Sequence, residues 1–313
     1  MQVWAFDIKP KSGFRTLPSG SLLWGSIAWA VYETEGREGL QRWIEAHLDA
    51  LEAGSAPPLR LSSAFPKGFL PRPVLPPAFV DDTVLRKKLK GIRWLTFKEF
   101  DLVLKGGDQA LLEKLKHAET NSDGVGWELK SRPRVTINRL TGGAAEGLLF
   151  EDHFYTLTTA TPEGKATLYA LLGSDFSPDH LYGLLSHIGM QGLGGASVGY
   201  GLFDVGPPYQ ANLPTREGPF CILLGPGLLH AGLDGWWKVA PYWGRLGHIY
   251  AYAPIPFKRP YLRLLEGSVV RGYRPQLLDV TPSREPEPGV RVYENLAPLC
   301  LNSEVPHANE DAA

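Results

Sequence analysis

The chain has 313 residues, 43% hydrophobic and 21% charged, with a formal net charge of −1. The apolar fraction excludes wholesale disorder, the charge balance excludes adhesion to nucleic acid or membrane through bulk charge, and the two cysteines exclude a disulfide scaffold or thiolate metal cluster. The 35 Gly and 27 Pro make up about a fifth of the chain, against roughly 12% in average usage, which predicts short elements joined by many specified turns.

Val3 to Ile8 alternates apolar and polar residues and predicts a strand closed by Lys9-Pro10. A loop carrying Lys9, Lys11 and Arg15 follows, then Ser19-Gly20-Ser21 as the serine-capped start of a helix over LLWGSIAWAVYE. Pro57-Pro58 and the run from Pro66 to Pro77 predict an ordered loop or an extended crossing strand. The basic stretch RKKLKGIRWLTF leads into a strand, and GDQALLEKLKHAE reads as a short helix. Arg134 to Arg139 and Gly147 to Phe150 predict two strands around a mobile tip at Leu140 to Gly143. His153 to Ala160 and Lys165 to Leu172 are β-rich runs separated by TPEG, a hairpin signal. Ser177 caps a helix over Pro178 to His187, with Pro178 in its first turn; a Gly-rich loop and the strand LFDV come next.

Strand, helix, hairpin, helix, Gly-rich loop, strand is the βαββαβ order of a ferredoxin-like unit with a large insertion after its first helix. The expected class is α+β, with a first domain over residues 1–206 and a divergent, β-rich second domain over 207–302. The second block holds FCILL, WKVAPYW, HIYAYAPI and VRVYENLAPL, mostly strand-like, and residues 303–313 read as a frayed acidic tail. Leu22 to Tyr32, the longest apolar stretch, falls short of the roughly 20 residues of a membrane span, and the start lacks a signal-peptide pattern. A soluble cytoplasmic protein is expected.

Gly189, Gly192, Gly194, Gly195, Gly199 and Gly201 fall within thirteen residues, with Ser197 among them. Such a loop lets backbone approach a ligand and points N–H groups at phosphate oxygens. It lacks the Lys of a Walker loop and the spacing of a dinucleotide fingerprint. A tight helix-to-strand connection would account for one or two glycines, so six favour a ligand-binding backbone. Two basic runs contain no acid: Arg86, Lys87, Lys88, Lys90, Arg93 and Lys98, then Lys130, Arg132, Arg134 and Arg139. One such run is commonly a solvated face; two, with the loop at Lys9, Lys11 and Arg15, suit an RNA backbone equally well. The eight histidines show no metal spacing, and neither cofactor nor metal is expected. His187, beside the Gly-rich loop, reads as a general base or as a histidine favoured by a helix C-terminus. Trp236, Trp237, Tyr242, Trp243, Tyr250 and Tyr252 read as base-stacking residues or as strand packing.

Four stretches carry a family resemblance: KSGFRTLPSGSLLWGSIAWA, RPRVTINRLTGGAAEGLLF, IGMQGLGGASVGYGLFDV and YLRLLEGSVVRG. They resemble the RAMP superfamily of CRISPR proteins, and more specifically the fourth-subunit family of the type III-A (Csm) effector complex. The resemblance implies two ferredoxin-like folds, the first with a β-hairpin thumb at about residues 131–150. It implies a non-catalytic subunit that caps the 5′ repeat-derived tag of the CRISPR RNA and bridges the large polymerase-like subunit to the backbone subunit. RNA contacts are then expected from the Gly-rich loop and from Lys9, Lys11, Arg15, Arg132, Arg134 and Arg139, with Ile137 and Leu140 wedging between bases. Backbone subunits of the superfamily cut target RNA with an Asp in the loop after the first strand, and this chain has no Asp, Glu or His from Ile8 to Tyr32. The rival expectations are a metal-independent processing endoribonuclease of the same superfamily and a protein-only scaffold.

Overall fold

The computed structural model describes residues 2–76, 81–117, 124–159 and 163–304. Strand β1 (Val3–Pro10) is followed by α1 (Gly20–Glu52), β2 (Leu59–Leu61), β3 (Phe65–Pro66) and β4 (Phe69–Pro71). Helix α2 (Thr83–Gly91), β5 (Trp94–Thr96) and α3 (Phe97–His117) form an inserted block. Then come β6 (Gly126–Ile137), β7 (Ala144–Thr158), β8 (Ala166–Leu172), α4 (Pro178–Gln191), β9 (Phe203–Val205) and β10 (Tyr209–Ala211).

The first sheet runs β10-β1-β8-β2, with β9 also pairing β1 and β3 pairing β8, every described pair antiparallel. Both faces are covered, which explains the apolar density of β1 and β8. Phe6, Ile8, Leu168 and Ala170 point to a core shared with Leu23, Trp24 and Ile27 of α1 and Leu181, Leu184, Leu185 and Ile188 of α4. The α4 residues recur at the i, i+3, i+4, i+7 spacing of one helix face. Val3, Ala5, Tyr169 and Leu171 point the other way, onto Phe100, Val103 and Leu111 of α3 and onto Ile222 and Leu301 of the second half.

That second half holds β11 (Phe220–Leu223), β12 (Gly227–Leu228), β13 (Asp234–Trp236), β14 (Val239–Tyr242), β15 (Tyr261–Leu264), β16 (Val269–Arg271), β17 (Gln276–Asp279), β18 (Tyr293–Leu296) and β19 (Cys300–Ser303). They form a sheet of order β13-β16-β11-β19, a three-stranded β12-β15-β14 sheet and a β17-β18 pair. Among the described residues no α-helix follows α4. No described helix is long and apolar enough to cross a membrane.

Five local expectations are corrected. The basic stretch at Arg86 is helix α2, because the Asp82 carboxylate caps it by accepting from the amides of Val84 (2.7 Å) and Leu85 (3.3 Å) while Leu89 anchors it in the core. The runs around TPEG do not pair: β7 is taken along its whole length by β6, and β8 pairs with β1 and β2. The insertion therefore follows β2, a strand built from the proline-rich region, rather than α1 directly. HIYAY is a 3-10 turn over His248–Tyr252, not a strand. At α1 the Ser19 side chain makes no capping bond; the Gly20 amide donates instead to Ser63 Oγ (3.0 Å), so a serine from a distant segment supplies the cap. The acidic tail beyond residue 304 lies outside the described residues.

Candidate nucleic-acid interface

Strands β6 and β7 pair from Gly126–Thr158 to Ile137–Ala144 with one irregularity between Val135 and Ile137, giving a two-stranded arm about 40 Å long at the usual rise per residue. Its base is fixed in the first core: Trp127, Tyr155 and Leu157 pack there, Trp127 Nε1 donates to the Ala64 carbonyl (3.0 Å), and Phe14 and Tyr155 exchange both backbone bonds. Beyond the base both faces are open, with Leu129, Val135, Ile137, Leu140, Leu148, Leu149 and Phe150 exposed. An isolated two-stranded ribbon is marginal in water, so the arm needs a fastening beyond its own ladder.

Asp152 is that fastening. It is buried opposite Arg132 in the ladder, and four donors converge on it. Arg15 Nη2 donates at 2.6 Å, Arg134 Nε at 2.6 Å, Arg132 Nε lies at 3.5 Å, and the Tyr200 hydroxyl closes the set with a short bond. The same hydroxyl accepts from Arg132 (2.6 Å) and Arg134 (3.2 Å). The guanidinium groups of Arg15, Arg132 and Arg134 stand 5.3 to 5.8 Å from the Tyr200 ring centre, and Arg132 also lies over Phe154. The hydrogen bond from Tyr200, with Arg15 and Arg134 beside it, holds the Asp152 carboxyl below the ordinary aspartate range. Three arginines against one acid leave a positively charged, half-exposed surface where the loop after β1, the arm and the Gly-rich loop meet. Such a surface suits phosphate oxygens, which guanidinium forks bind in pairs.

The Gly-rich loop forms the third wall, and much of its glycine content serves its own closure. A Cβ at Gly201 would lie 2.0 Å from the Leu193 carbonyl oxygen, and one at Gly189 would lie 2.3 Å from that of Phe203. Gly192 ends α4 at φ 99°, and Leu193 N and Gly201 N donate to Gly201 O and Gly13 O. Gly195 packs on Tyr200 and Arg15, while Gly194 and Gly199 adopt left-handed backbone. The amides of Gly194 and Gly195 meet no backbone acceptor among the described residues, and Ser197 is exposed. These are the loop positions open to an anion.

The predicted residues are therefore only partly brought together. Arg15, Arg132, Arg134, Gly195 and Gly201 meet at Asp152 and Tyr200. Lys11 is near by in the chain but pairs with Asp204 (2.6 Å), and Lys9 is exposed. Ile137, Arg139 and Leu140 sit at the far end of the arm, where the tip is closed by Asn138 and Gly143. His187 is hydrogen-bonded rather than an open base: Glu33 accepts from His187 (2.6 Å), Gln191 (2.8 Å) and His248 (2.9 Å). The hydrogen bond from His187 holds the Glu33 carboxyl low. Of the aromatic cluster, Tyr242 and Tyr250 line a cleft of about 690 Å³ against α1, Trp236 packs on Phe220, and Trp243 and Tyr252 are exposed. Among the described residues no group of three or more His, Cys, Asp or Glu is placed to hold a metal. Sequence reasoning missed Asp152, Tyr200 and Phe154; an acid in a strand-like run opposite two alternating arginines was the available signal.

No protein-family model and no curated protein matches the chain. Solved structures do. A chain from the crystal structure of a Csm1–Csm4 cassette in complex with pppApA superposes with a TM-score of 0.65, at 17% identity over 98% of this chain and 99% of that one. A chain from a Csm3–Csm4 subcomplex in the type III-A CRISPR–Cas interference complex gives 0.57, at 18% identity over 97% and 100%. Csm4 is the component these two assemblies share. This chain has a Csm4-like fold. A chain of a type III-B Cmr-beta complex bound to cognate target RNA and AMPPnP matches at a TM-score of 0.50, with 13% identity over 85% and 86%. The Csm4-like fold thus extends over nearly the full length of the sequence, arm and β-rich second half included.

Proposed function

We propose that the protein is a non-catalytic RNA-binding subunit of a type III-A CRISPR effector complex. It holds the 5′ repeat-derived tag of the CRISPR RNA and links the large polymerase-like subunit to the backbone subunit. The observation that carries this is the convergence of Arg15, Arg132 and Arg134 on one buried acid, at the junction of the arm, the loop after β1 and the Gly-rich loop. The amides of Gly194 and Gly195, which meet no backbone acceptor among the described residues, supply neutral donors beside the cations, and Lys9, Arg139, Ile137 and Leu140 extend the contact along β1 and the arm. The fold likeness to chains solved with Csm1 and with Csm3 supports two protein partners. The strand order β9-β1-β8-β2 supports a ferredoxin-like first domain, proposed over residues 1–206 with a β-rich second domain over 207–302, although β10 (Tyr209–Ala211) adds to the first sheet from beyond that boundary.

No acid or histidine stands in the loop after β1, where cutting subunits of the superfamily carry Asp, so this surface binds RNA without cleaving it. The test is incubation of the purified protein, alone and in the assembled complex, with repeat-containing RNA. Retention of intact RNA, weakened by Arg132→Ala with Arg134→Ala and Arg139→Ala and with a flatter salt dependence, is the expected result. Cleavage without added metal would overturn the proposal in favour of a processing nuclease, and absence of binding even in the complex would leave a protein scaffold.

A further inference from the structure

The first basic run is not used by the interface above. Four of its residues lie on α2, Arg93 lies in the connection to β5 and Lys98 at the start of α3, a block packed through Leu89, Ile92 and Leu95 into the core on the sheet face opposite α1 and α4. Arg86, Lys87, Lys88, Lys90, Arg93 and Lys98 are all exposed. None of them makes an ion pair with an acid among the described residues. The acids of the neighbouring helix α3 are committed elsewhere: Glu99 to Lys114, Asp101 to Lys105 and Arg216, Asp108 to Arg72, and Glu113 to Lys116. Asp82, which precedes α2, spends its carboxylate on the helix amides. In the arm, by contrast, Arg132 and Arg134 share Asp152, and elsewhere Lys258, Arg259 and Arg271 each have an acid partner.

A solvated face accounts for this poorly. Lys88 and Lys90 in the last turn complement the helix dipole, but Arg86 and Lys87 gain nothing from it. Arg86 and Lys90 are like charges at i, i+4, a spacing that destabilises a helix. Six exposed cations without an ion-pair partner among the described residues repel one another on one short block, a cost that a bound anion removes. Trp94 and Phe97 beside them are half-buried against Phe65 and Tyr169 and are not free to stack on bases. The chemistry offered is positive charge on a rigid, capped helix, without base-reading groups.

We infer that the α2 face is a second RNA-binding surface, which takes the phosphodiester backbone irrespective of sequence and stands apart from the arm and Gly-rich loop. The test uses the full chain and a labelled oligouridylate of about 20 nucleotides lacking any repeat sequence, titrated from about 50 to about 200 mM salt. Replacing Arg86, Lys87 and Lys90 by Gln removes three cations, so the slope of log K against log salt becomes shallower by about 2 for a single strand. Arg86→Lys with Lys87→Arg and Lys90→Arg retains the wild-type slope, which separates lost charge from lost fold. The arm variant Arg132→Ala/Arg134→Ala/Arg139→Ala leaves the α2 contribution in place, so failure of the tag-binding proposal and failure of this one are distinguishable. A wild-type slope in the Gln variant overturns the inference. Displacement of poly-glutamate rather than RNA by the same substitutions overturns it in favour of an acidic protein partner.

Discussion

The Tyr200 hydroxyl donates to Asp152 while accepting from Arg132 and Arg134, so one phenol–carboxylate pair ties the Gly-rich loop to the arm and orients two arginines. Tyr200→Phe removes both connections and keeps the ring on which the guanidinium groups lie. The expected cost is about 1–2 kcal/mol of stability, since the partners regain water only in part. RNA retention falls with it, because Arg132 and Arg134 lose one of the two acceptors they share and keep only Asp152. Denaturant unfolding and RNA binding, measured on the same preparation, check both effects; unchanged stability would mean that the arm is held by its base alone.

Asp152 gives the same junction a pH signature. Its folded carboxyl is held low, first by the bond from Tyr200 and then by Arg15 and Arg134, so the folded state binds this proton less readily than the unfolded chain. The stabilisation is complete above the ordinary aspartate range near pH 4 and is lost as pH falls through the lower folded value. Asp152→Asn lacks that component. The difference between wild-type and variant stability therefore shrinks with acidification, read from urea midpoints at falling pH; a difference constant with pH would refute it.

The alternating apolar pattern of β1, the Ser177–Pro178 start of α4 and the strand after the Gly-rich loop were legible because each is fixed by local rules. Ser177 Oγ does accept from the His180 amide (3.1 Å). What was not legible depends on contacts distant in sequence. The run HFYTLTT looks like one half of a hairpin with KATLYALL, yet its partner GWELKSR lies upstream, and only the packing of Trp127 and Tyr155 on Phe14 and the first core selects that pairing. The RKKLKG helix was hidden because its charges suppress the apolar periodicity, leaving Leu89 as the single buried anchor within the helix. At the interface, the arginines were visible as charges but Asp152 was passed over, since it faces them only when the hairpin continues past residue 150, and the run from His153 reads instead as a partner of Lys165 to Leu172.

The glycines of the loop separate into two functions that substitution can tell apart. Gly201 has φ 75° and meets the Leu193 backbone, so Gly201→Ala combines left-handed strain with a backbone clash and costs about 3 kcal/mol. Gly199 has φ 80° but nothing near its missing side chain, so Gly199→Ala costs about 1 kcal/mol, from strain alone. Thermal unfolding of the two variants is expected to rank them in that order. Equal costs would show that the loop relaxes around the Gly201 clash.

The arm tip should affect RNA without affecting the fold. Leu140 is 97% exposed and Ile137 61%, so neither supports the core. Alanine at both positions is expected to leave the melting temperature unchanged and to weaken RNA retention several-fold without altering the salt slope, because an apolar wedge releases no counterions. Arg139→Ala instead makes the slope shallower by about 0.7, one phosphate contact on a single strand. Salt titrations of the two variants side by side distinguish wedge from charge.

Within the first core, α1 carries a buried titratable group of its own. His47 is fully buried, with Trp24 Nε1 donating to its Nε2 (3.3 Å) and its Nδ1 at 2.8 Å from the Trp43 carbonyl, an arrangement that fixes the neutral ring with its proton on Nδ1. Burial pushes its pKa down to about 4, opposed in part by the bond to Trp43. The unfolded chain therefore takes up this proton first as pH falls, and the folded state loses ground between the ordinary histidine value near 6.5 and about 4. The loss reaches about 3 kcal/mol at the lower limit, a large share of the stability of a typical domain. His47→Gln, neutral throughout, is expected to be less stable at pH 7, where the Trp24 and Trp43 contacts are disturbed, yet to show a flatter dependence on pH across that window. Urea midpoints at several pH values test this directly, and parallel curves for the two proteins would exclude His47 as the source of the acid sensitivity.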